Sequence, residues 1–144
     1  MADIFTPEKR RQIMRAVGSR DTKPEILLRK ALFKMGYRFR LYRTDLPGSP
    51  DLVFPKYKAI IFVNGCFWHG HNCKRGNRIP ATNSDYWRRK IERNRQNDRK
   101  ALASLQQIGW RCLTVWECDV TPNNLQKLCN EISDWLILPN STEV

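Results

Sequence analysis

The segment Asn64–Cys73 constrains this chain more than any other feature of the sequence. It holds two cysteines, both histidines of the chain and two adjacent large aromatic residues. Thiolates and imidazoles are the ligands that a tetrahedral zinc ion prefers. Cys66, His71 and Cys73 are close enough in sequence to bind one ion. Their spacing is not that of a standard zinc finger, so a fourth ligand must come from a distant part of the chain.

The fourth ligand can be sought among the three remaining cysteines. Cys112 alternates with apolar neighbours in a predicted strand, and Cys129 lies on the apolar face of a predicted helix, so both are expected to pack in the core. Cys118 lies just past a strand end, where a loop can fold back, and we select it. An odd number of cysteines and an N-terminus without the apolar segment of a signal peptide favour reduced thiols in the cytoplasm.

The charge of the chain is strongly basic, at +12. Residues 117–144 carry five acids and one base, so the basic excess lies in residues 1–116. Such a surface is typical of proteins that bind nucleic acid, although it can also serve solubility alone. The longest strongly apolar run, residues 59–63, is too short to span a bilayer, and no membrane association is expected.

The hydrophobic pattern predicts the order α-α-β-β-β-α-β-α within one domain, residues 1–144. This order indicates the α/β class, with a mixed central sheet flanked by helices. A helix within residues 1–20 is expected to contact DNA, and residues 121–144 form a C-terminal helix and tail. The predicted elements are helices over 6–19, 22–36, 84–108 and 122–138, and strands over 37–42, 51–54, 58–63 and 110–116.

Asp51 opens a short predicted strand after a turn over residues 46–50. A carboxylate at the start of a core strand must be paired or bind a metal, because a buried charge loses its hydration. The partner strand ends at Val63, so Asp51 and the backbone near residue 63 would face one pocket suited to a hard cation. The alternative is an aspartate that only caps the turn.

Three further groups could take part in catalysis. His69 stays free if His71 binds zinc, and could act as a general base toward water attacking a phosphodiester; the alternative is a bystander at the zinc site. Asp98 lies on the predicted buried stripe of the helix over 84–108, and could orient a metal-bound water or pair with an arginine. Glu25 could reach the pocket through water, or serve only in a capping box with Thr22.

Side chains suited to DNA contact surround these groups. Phe67 and Trp68 could enter a base step as apolar wedges, or merely anchor the loop on the core. Lys90 belongs to a basic outer helix face that suits phosphate contacts.

The strings Gly65–His69 with His71 and Cys73, residues 79–82, residues 116–118 and Met14-Arg15-Ala16 resemble the very short patch repair (Vsr) mismatch endonucleases. The resemblance covers about residues 8 to 120. It implies a restriction-endonuclease-like core and a nick on the 5′ side of the thymine in a T:G mismatch, left when 5-methylcytosine deaminates. It also implies a bacterial, nucleoid-associated protein whose partners are mismatched DNA and repair proteins such as MutL. A monomer is expected, because an asymmetric mismatch has no two-fold axis for a dimer to match.

The resemblance implies roles for individual residues as well. Asp51 and the Val63 carbonyl would bind catalytic magnesium, His69 would be the catalytic histidine, and Glu25 and Asp98 would be acids near the metal. The remaining assignments are structural zinc at Cys66, His71, Cys73 and Cys118, and DNA contacts at Met14, Arg15, Phe67, Trp68 and Lys90.

Two departures from the family pattern bear on catalysis. Related proteins often have Thr and His where this chain has Val63 and Asn64. Asn64 near the reacting phosphate can donate a hydrogen bond but cannot shuttle a proton, and no E-x-K motif follows Asp51. A zinc-stabilised DNA-binding protein without catalysis explains the charge, the cysteines and the aromatic residues equally well and is the alternative function; a ribonuclease or tRNA-directed enzyme is a second alternative.

Overall fold

The computed structural model describes residues 22–74 and 76–138. The predicted helix over 6–19, together with Met14 and Arg15, lies outside these residues. The described elements, in chain order, are α1 (Lys23–Lys34), β1 (Leu52–Phe54), β2 (Ala59–Asn64), α2 (Ser84–Gln107), β3 (Arg111–Trp116) and α3 (Leu125–Ile137), with short 3-10 turns at Pro55–Tyr57 and Glu117–Asp119.

The three strands form one mixed sheet in the order β1-β2-β3. β1 runs antiparallel to β2, with Leu52 opposite Ile61, and β3 runs parallel to β2, with Val63 opposite Val115. The parallel pair needs a long crossover connection, which contains α2. The prediction of a mixed α/β arrangement is confirmed.

Helices cover both faces of the sheet, because alternate side chains of a strand point to opposite faces. Leu52, Phe54 and Ile61 belong to a core shared with α1 and α3. Val53 and Ile60 point the other way and pack with Leu105 of α2. The C-terminal end of β2 leads directly into the cysteine-rich segment.

The strand predicted over residues 37–42 is wrong. Only Arg40 forms a bridge there, exchanging two backbone hydrogen bonds with Val53 at 2.8 and 3.0 Å. Tyr42 adopts the left-handed region at φ 58°, which ends any extended course. The alternation was nevertheless informative, because Tyr37 and Phe39 still pack against the core.

The helix ends follow the sequence signals in part. The Thr22 side chain accepts a hydrogen bond from the Glu25 backbone N–H at 3.4 Å, so the predicted cap is present. Asn83 is the N-cap of α2, and Ile108, its C-cap, is 55% exposed. Among the described helices, none has the length and apolar character needed to cross a membrane.

Candidate active site

Four side chains predicted to bind zinc come together beyond the end of β2. The ligand atoms of Cys66, His71, Cys73 and Cys118 all lie within 4.8 Å of one another. His71 Nδ1 is 3.5 Å from Cys118 Sγ. Three sulfurs and one nitrogen at these separations suit a tetrahedral ion with bond lengths of about 2.0–2.3 Å. The cluster can therefore hold a metal ion.

Backbone hydrogen bonds fold the segment so that these ligands converge. The His71 N–H donates to the Cys66 carbonyl at 3.0 Å, and the Cys73 N–H donates to the His71 carbonyl at 2.8 Å. Cys118 arrives from the 3-10 turn after β3, whose last residue, Trp116, stacks on the His71 ring with centroids 4.2 Å apart. The parallel pairing of β2 with β3 thus brings the two ligand-bearing segments side by side.

The cluster without an ion is electrostatically unfavourable for thiolates. Burial raises the pKa of Cys66 to about 12; a hydrogen bond from the Cys118 backbone lowers this pKa, and the side chains of Cys118 and Cys73 raise it. A coordinated cation reverses this preference, because metal ligation requires the deprotonated thiol. The donor set and its burial fit a zinc-type ion.

Glu117 supports the same loop and was missed by the sequence analysis. Its Oε1 atom accepts a hydrogen bond from the Cys66 backbone N–H at 2.9 Å. Glu117 stands between Trp116 and Cys118 in sequence, so only the parallel strand pair brings it near Cys66. A local signal for this contact does not exist in the sequence.

Asp51 lies beside Val63, as predicted from the two strands. Its Oδ2 atom accepts a hydrogen bond from the Val63 N–H at 2.6 Å. Paired strand residues direct their N–H and C=O groups to the same edge, so the Val63 carbonyl lies on the same edge as this carboxylate. A carboxylate and a carbonyl on one strand edge are suitable ligands for a hard cation.

The electrostatics around Asp51 also suit a cation. Burial raises the pKa of Asp51 to about 7, overcoming the Val63 N–H, which lowers it; the negative charge of Glu25 raises it further. Glu25 is only 6% exposed in the first turn of α1. It pairs with Arg29 at 3.4 Å. Two acids close to each other in a partly dry site are the arrangement that a divalent ion would stabilise.

His69 and Asp98 form a direct pair. His69 Nδ1 lies 2.5 Å from Asp98 Oδ2, and the two side chains are 24% and 34% exposed. Four residues earlier on α2, Asn94 Nδ2 donates to the Trp68 carbonyl at 2.8 Å. One face of α2 thus binds both the Trp68 backbone and the His69 imidazole. Among the described residues, Asp98 contacts this histidine and no arginine.

A cleft beside this pair contains Asn64. The cleft has a volume of about 150 Å³ and lies between the sheet and α2. Asn64 at the end of β2 and Asp98 both line it, so these two predicted site residues share one cleft. The other lining residues are Gly48, Phe62, Asn97, Ala101, Leu102 and Thr114.

The two loop aromatics pack on the start of α2. Phe67 and Trp68 contact each other edge to face at 5.2 Å, and both contact Trp87 at 5.7 and 5.8 Å. Each remains half-buried, so part of each ring meets solvent. The contacts anchor the loop while leaving apolar surface that could meet another molecule.

Lys90 is exposed on α2, on the side of the sheet that carries the cleft. Together these groups provide a histidine paired through Nδ1 with a carboxylate, two acids near a strand edge and a basic helix. This set can bind a divalent cation and a phosphodiester and can move a proton.

The sequence matches known proteins along most of its length. Residues 2–75 match the family described as DNA mismatch endonuclease Vsr. The DNA mismatch endonuclease Vsr of Escherichia coli is 39% identical over 141 residues, 94% of this chain and 88% of that protein. The type II nicking enzyme V.XorIIP of Xanthomonas oryzae is 49% identical over 121 residues, 84% and 88% of the two chains. The type II nicking enzyme V.NmeAIP of Neisseria meningitidis is 42% identical over 139 residues, 93% and 99%.

Proposed function

This chain belongs to the Vsr family of DNA mismatch endonucleases and is a DNA endonuclease, and we propose that it makes a magnesium-dependent nick on the 5′ side of the thymine in a T:G mismatch. The observation that carries the proposal is the His69–Asp98 pair at 2.5 Å. This pair is a proton acceptor with a fixed orientation, which a protein that only binds DNA does not need.

The hydrogen bond to Asp98 selects the useful form of His69. When Nδ1–H donates to the carboxylate, the lone pair of Nε2 faces away from Asp98 and can accept a proton. We assign this proton to the water that attacks the scissile phosphate. Asp98 also stabilises the imidazolium that forms, because its negative charge lies within hydrogen-bond distance of the ring.

Asp51 and the Val63 carbonyl would hold the magnesium ion, with Glu25 acting on it through water. The ion would neutralise the charge that develops on the attacking and leaving oxygens. Asn64 would donate a hydrogen bond to the phosphate from the end of β2. Since an amide cannot shuttle a proton, Asn64 takes no part in acid–base work, which we assign to His69.

The Cys66, His71, Cys73 and Cys118 cluster would hold a structural zinc ion. Its contribution is to fix the loop, because the ligand His71 is separated from His69 only by Gly70. Loss of the ion would therefore disturb the base even though the ion takes no part in the reaction.

DNA recognition would use the half-buried Phe67 and Trp68, together with Met14, as wedges beside the mismatch. A mismatched step is cheaper to open than a paired one, and this difference supplies part of the selectivity. Lys90 and Arg15 would contact phosphates. The roles of Met14 and Arg15 stay predictions from the sequence, because both residues lie outside the described part of the chain.

The wider proposal is a single domain, residues 1–144, with a restriction-endonuclease-like core. A monomer suits an asymmetric mismatch, which has no two-fold axis for a dimer to match. Mismatch-repair proteins such as MutL are proposed partners, and action on the bacterial chromosome would place the enzyme in the cytoplasm.

A strand-resolved nicking assay tests the proposal. Duplexes with one T:G mismatch in varied flanking sequences, and a matched control, are incubated with and without magnesium. We expect a magnesium-dependent nick 5′ of the mismatched thymine that His69→Ala abolishes. Tight binding without a nick in any flank would instead favour the non-catalytic, zinc-stabilised DNA-binding protein, and cleavage of structured RNA in preference to DNA would favour a ribonuclease.

A further inference from the structure

The side chain of Arg95 lies against the loop that carries His69. Arg95 belongs to α2, between Asn94 and Asp98. A Cβ atom placed on Gly70 would come within 3.1 Å of Arg95 Cδ and 3.7 Å of Arg95 Nη1. Gly70 directly follows His69, so the Arg95 side chain lies beside the residue that follows the proposed base.

The backbone at Gly70 makes this contact possible. Gly70 has φ +65°, and its missing Cβ would lie 2.8 Å from Ile91 Cγ2, closer than real Cβ contacts. A side chain at this position would therefore clash with α2 and push the loop away. The bare backbone provides a flat surface on which the aliphatic part of Arg95 rests.

The charge of Arg95 has no partner that explains its position. Within residues 22–74 and 76–138, Arg95 forms no hydrogen bond or ion pair, whereas Arg99 on the same helix pairs with Glu92 at 3.3 Å. Arg95 is exposed to solvent. A guanidinium group presents five donors in a planar fork that matches the oxygens of a phosphate.

We propose that Arg95 binds the DNA phosphate at the cleavage position, an inference that rests on the proposed function of His69. A phosphate within reach of water activated by His69 is also within reach of a cation resting on Gly70. Arg95 thereby supplies a positive charge to the phosphate from the side of α2.

Affinity measurements with altered DNA test this assignment. Fluorescence anisotropy without added magnesium measures Kd for T:G duplexes carrying a neutral methylphosphonate either at the phosphate 5′ of the mismatched thymine or at a distant phosphate. The variants are Arg95→Gln, Arg95→Lys and the control Lys127→Gln. Lys127 is an exposed residue of α3, on the face of the sheet opposite α2.

We expect Arg95→Gln to weaken binding of unmodified DNA by roughly tenfold or more, as for loss of a charged hydrogen bond. The slope of log K against log salt concentration should become less steep by about 0.9, the value for one phosphate contact. Arg95→Lys should keep the salt dependence, and Lys127→Gln should leave both quantities unchanged. The methylphosphonate at the cleavage position should weaken binding by the wild-type protein more than binding by Arg95→Gln.

Equal penalties from that methylphosphonate in wild type and Arg95→Gln would overturn the proposal, as would an Arg95→Gln variant indistinguishable from Lys127→Gln. The result is independent of cutting, because no magnesium is present. Failure of the wild-type protein to nick T:G duplexes would contradict the proposed function alone. Nicking of these duplexes, with the same methylphosphonate penalty in wild type and Arg95→Gln, would contradict this inference alone.

Discussion

The Asp98→Asn substitution tests the catalytic pair most directly. Asparagine keeps the size of the side chain and can still accept the Nδ1–H hydrogen bond, but it removes the negative charge 2.5 Å from His69. The imidazolium that forms when His69 takes a proton then loses its counter-charge. The expected effect is therefore on the chemical step, with DNA affinity unchanged.

The size of the effect follows from the exposure of the pair. A hydrogen bond to a charged group contributes about 1.5–3 kcal/mol. The side chains of His69 and Asp98 are 24% and 34% exposed, so solvent screening places the value in the lower part of this range, about 1.5–2 kcal/mol. At about 1.4 kcal/mol for each factor of ten, the rate should fall by about 10- to 30-fold.

Single-turnover nicking at saturating enzyme separates the chemical step from binding. The control is Glu92→Gln, which removes the same charge from an exposed position of α2. His69→Ala is expected to show no nicking, so the rate of Asp98→Asn is compared with that of Glu92→Gln. An Asp98→Asn rate equal to that of Glu92→Gln would refute the reasoning.

Three further outcomes are expected. Cys118→Ser should reduce bound zinc below one ion per chain and lower the Tm, whereas Cys112→Ala should keep the ion; metal analysis after gel filtration checks this, and full zinc retention by Cys118→Ser would contradict the ligand set. Leu105→Ala, at a position with no exposed surface, should lower the free energy of unfolding by about 2–5 kcal/mol in urea titrations, and a loss well under 1 kcal/mol would contradict the packing of α2. Because burial raises the pKa of Asp51 to about 7, protons should compete with magnesium for this carboxylate below pH 7. Calorimetry should show that the affinity for magnesium falls up to tenfold per pH unit below pH 7 and is constant above it. Affinity independent of pH between 5.5 and 7 would show that Asp51 is not the ligand.

The sequence predicted the elements whose signals are local. The end of α2 was predicted to within one residue, and the Thr22 cap was predicted from its spacing to Glu25. The irregular course of residues 37–42 was not predicted. Alternating burial is a property of a chain lying on a core, whether or not a neighbouring strand supplies hydrogen bonds.

The site residues divide in the same way, into those with a local sequence signal and those without one. The gathering of Cys66, His71 and Cys73 could be expected from their proximity in sequence, and Cys118 could be selected by excluding the other cysteines. The contact of Glu117 with the Cys66 N–H and the contact of Arg95 with Gly70 could not be predicted. Both depend on the register between distant elements, which no local pattern encodes.

The parallel pairing of β2 and β3 has a consequence for the stability of the metal-bound chain. The strands meet across the whole of α2, and Cys66 and Cys118 lie just beyond their paired ends. A bound ion would close a loop of about 50 residues between Cys66 and Cys118. By the relation used for covalent cross-links, the lost conformational entropy raises the free energy of the unfolded state by about 4 kcal/mol. A metal ion would thus stabilise this small sheet against unfolding as a disulfide does in secreted domains, with no need for an oxidising environment.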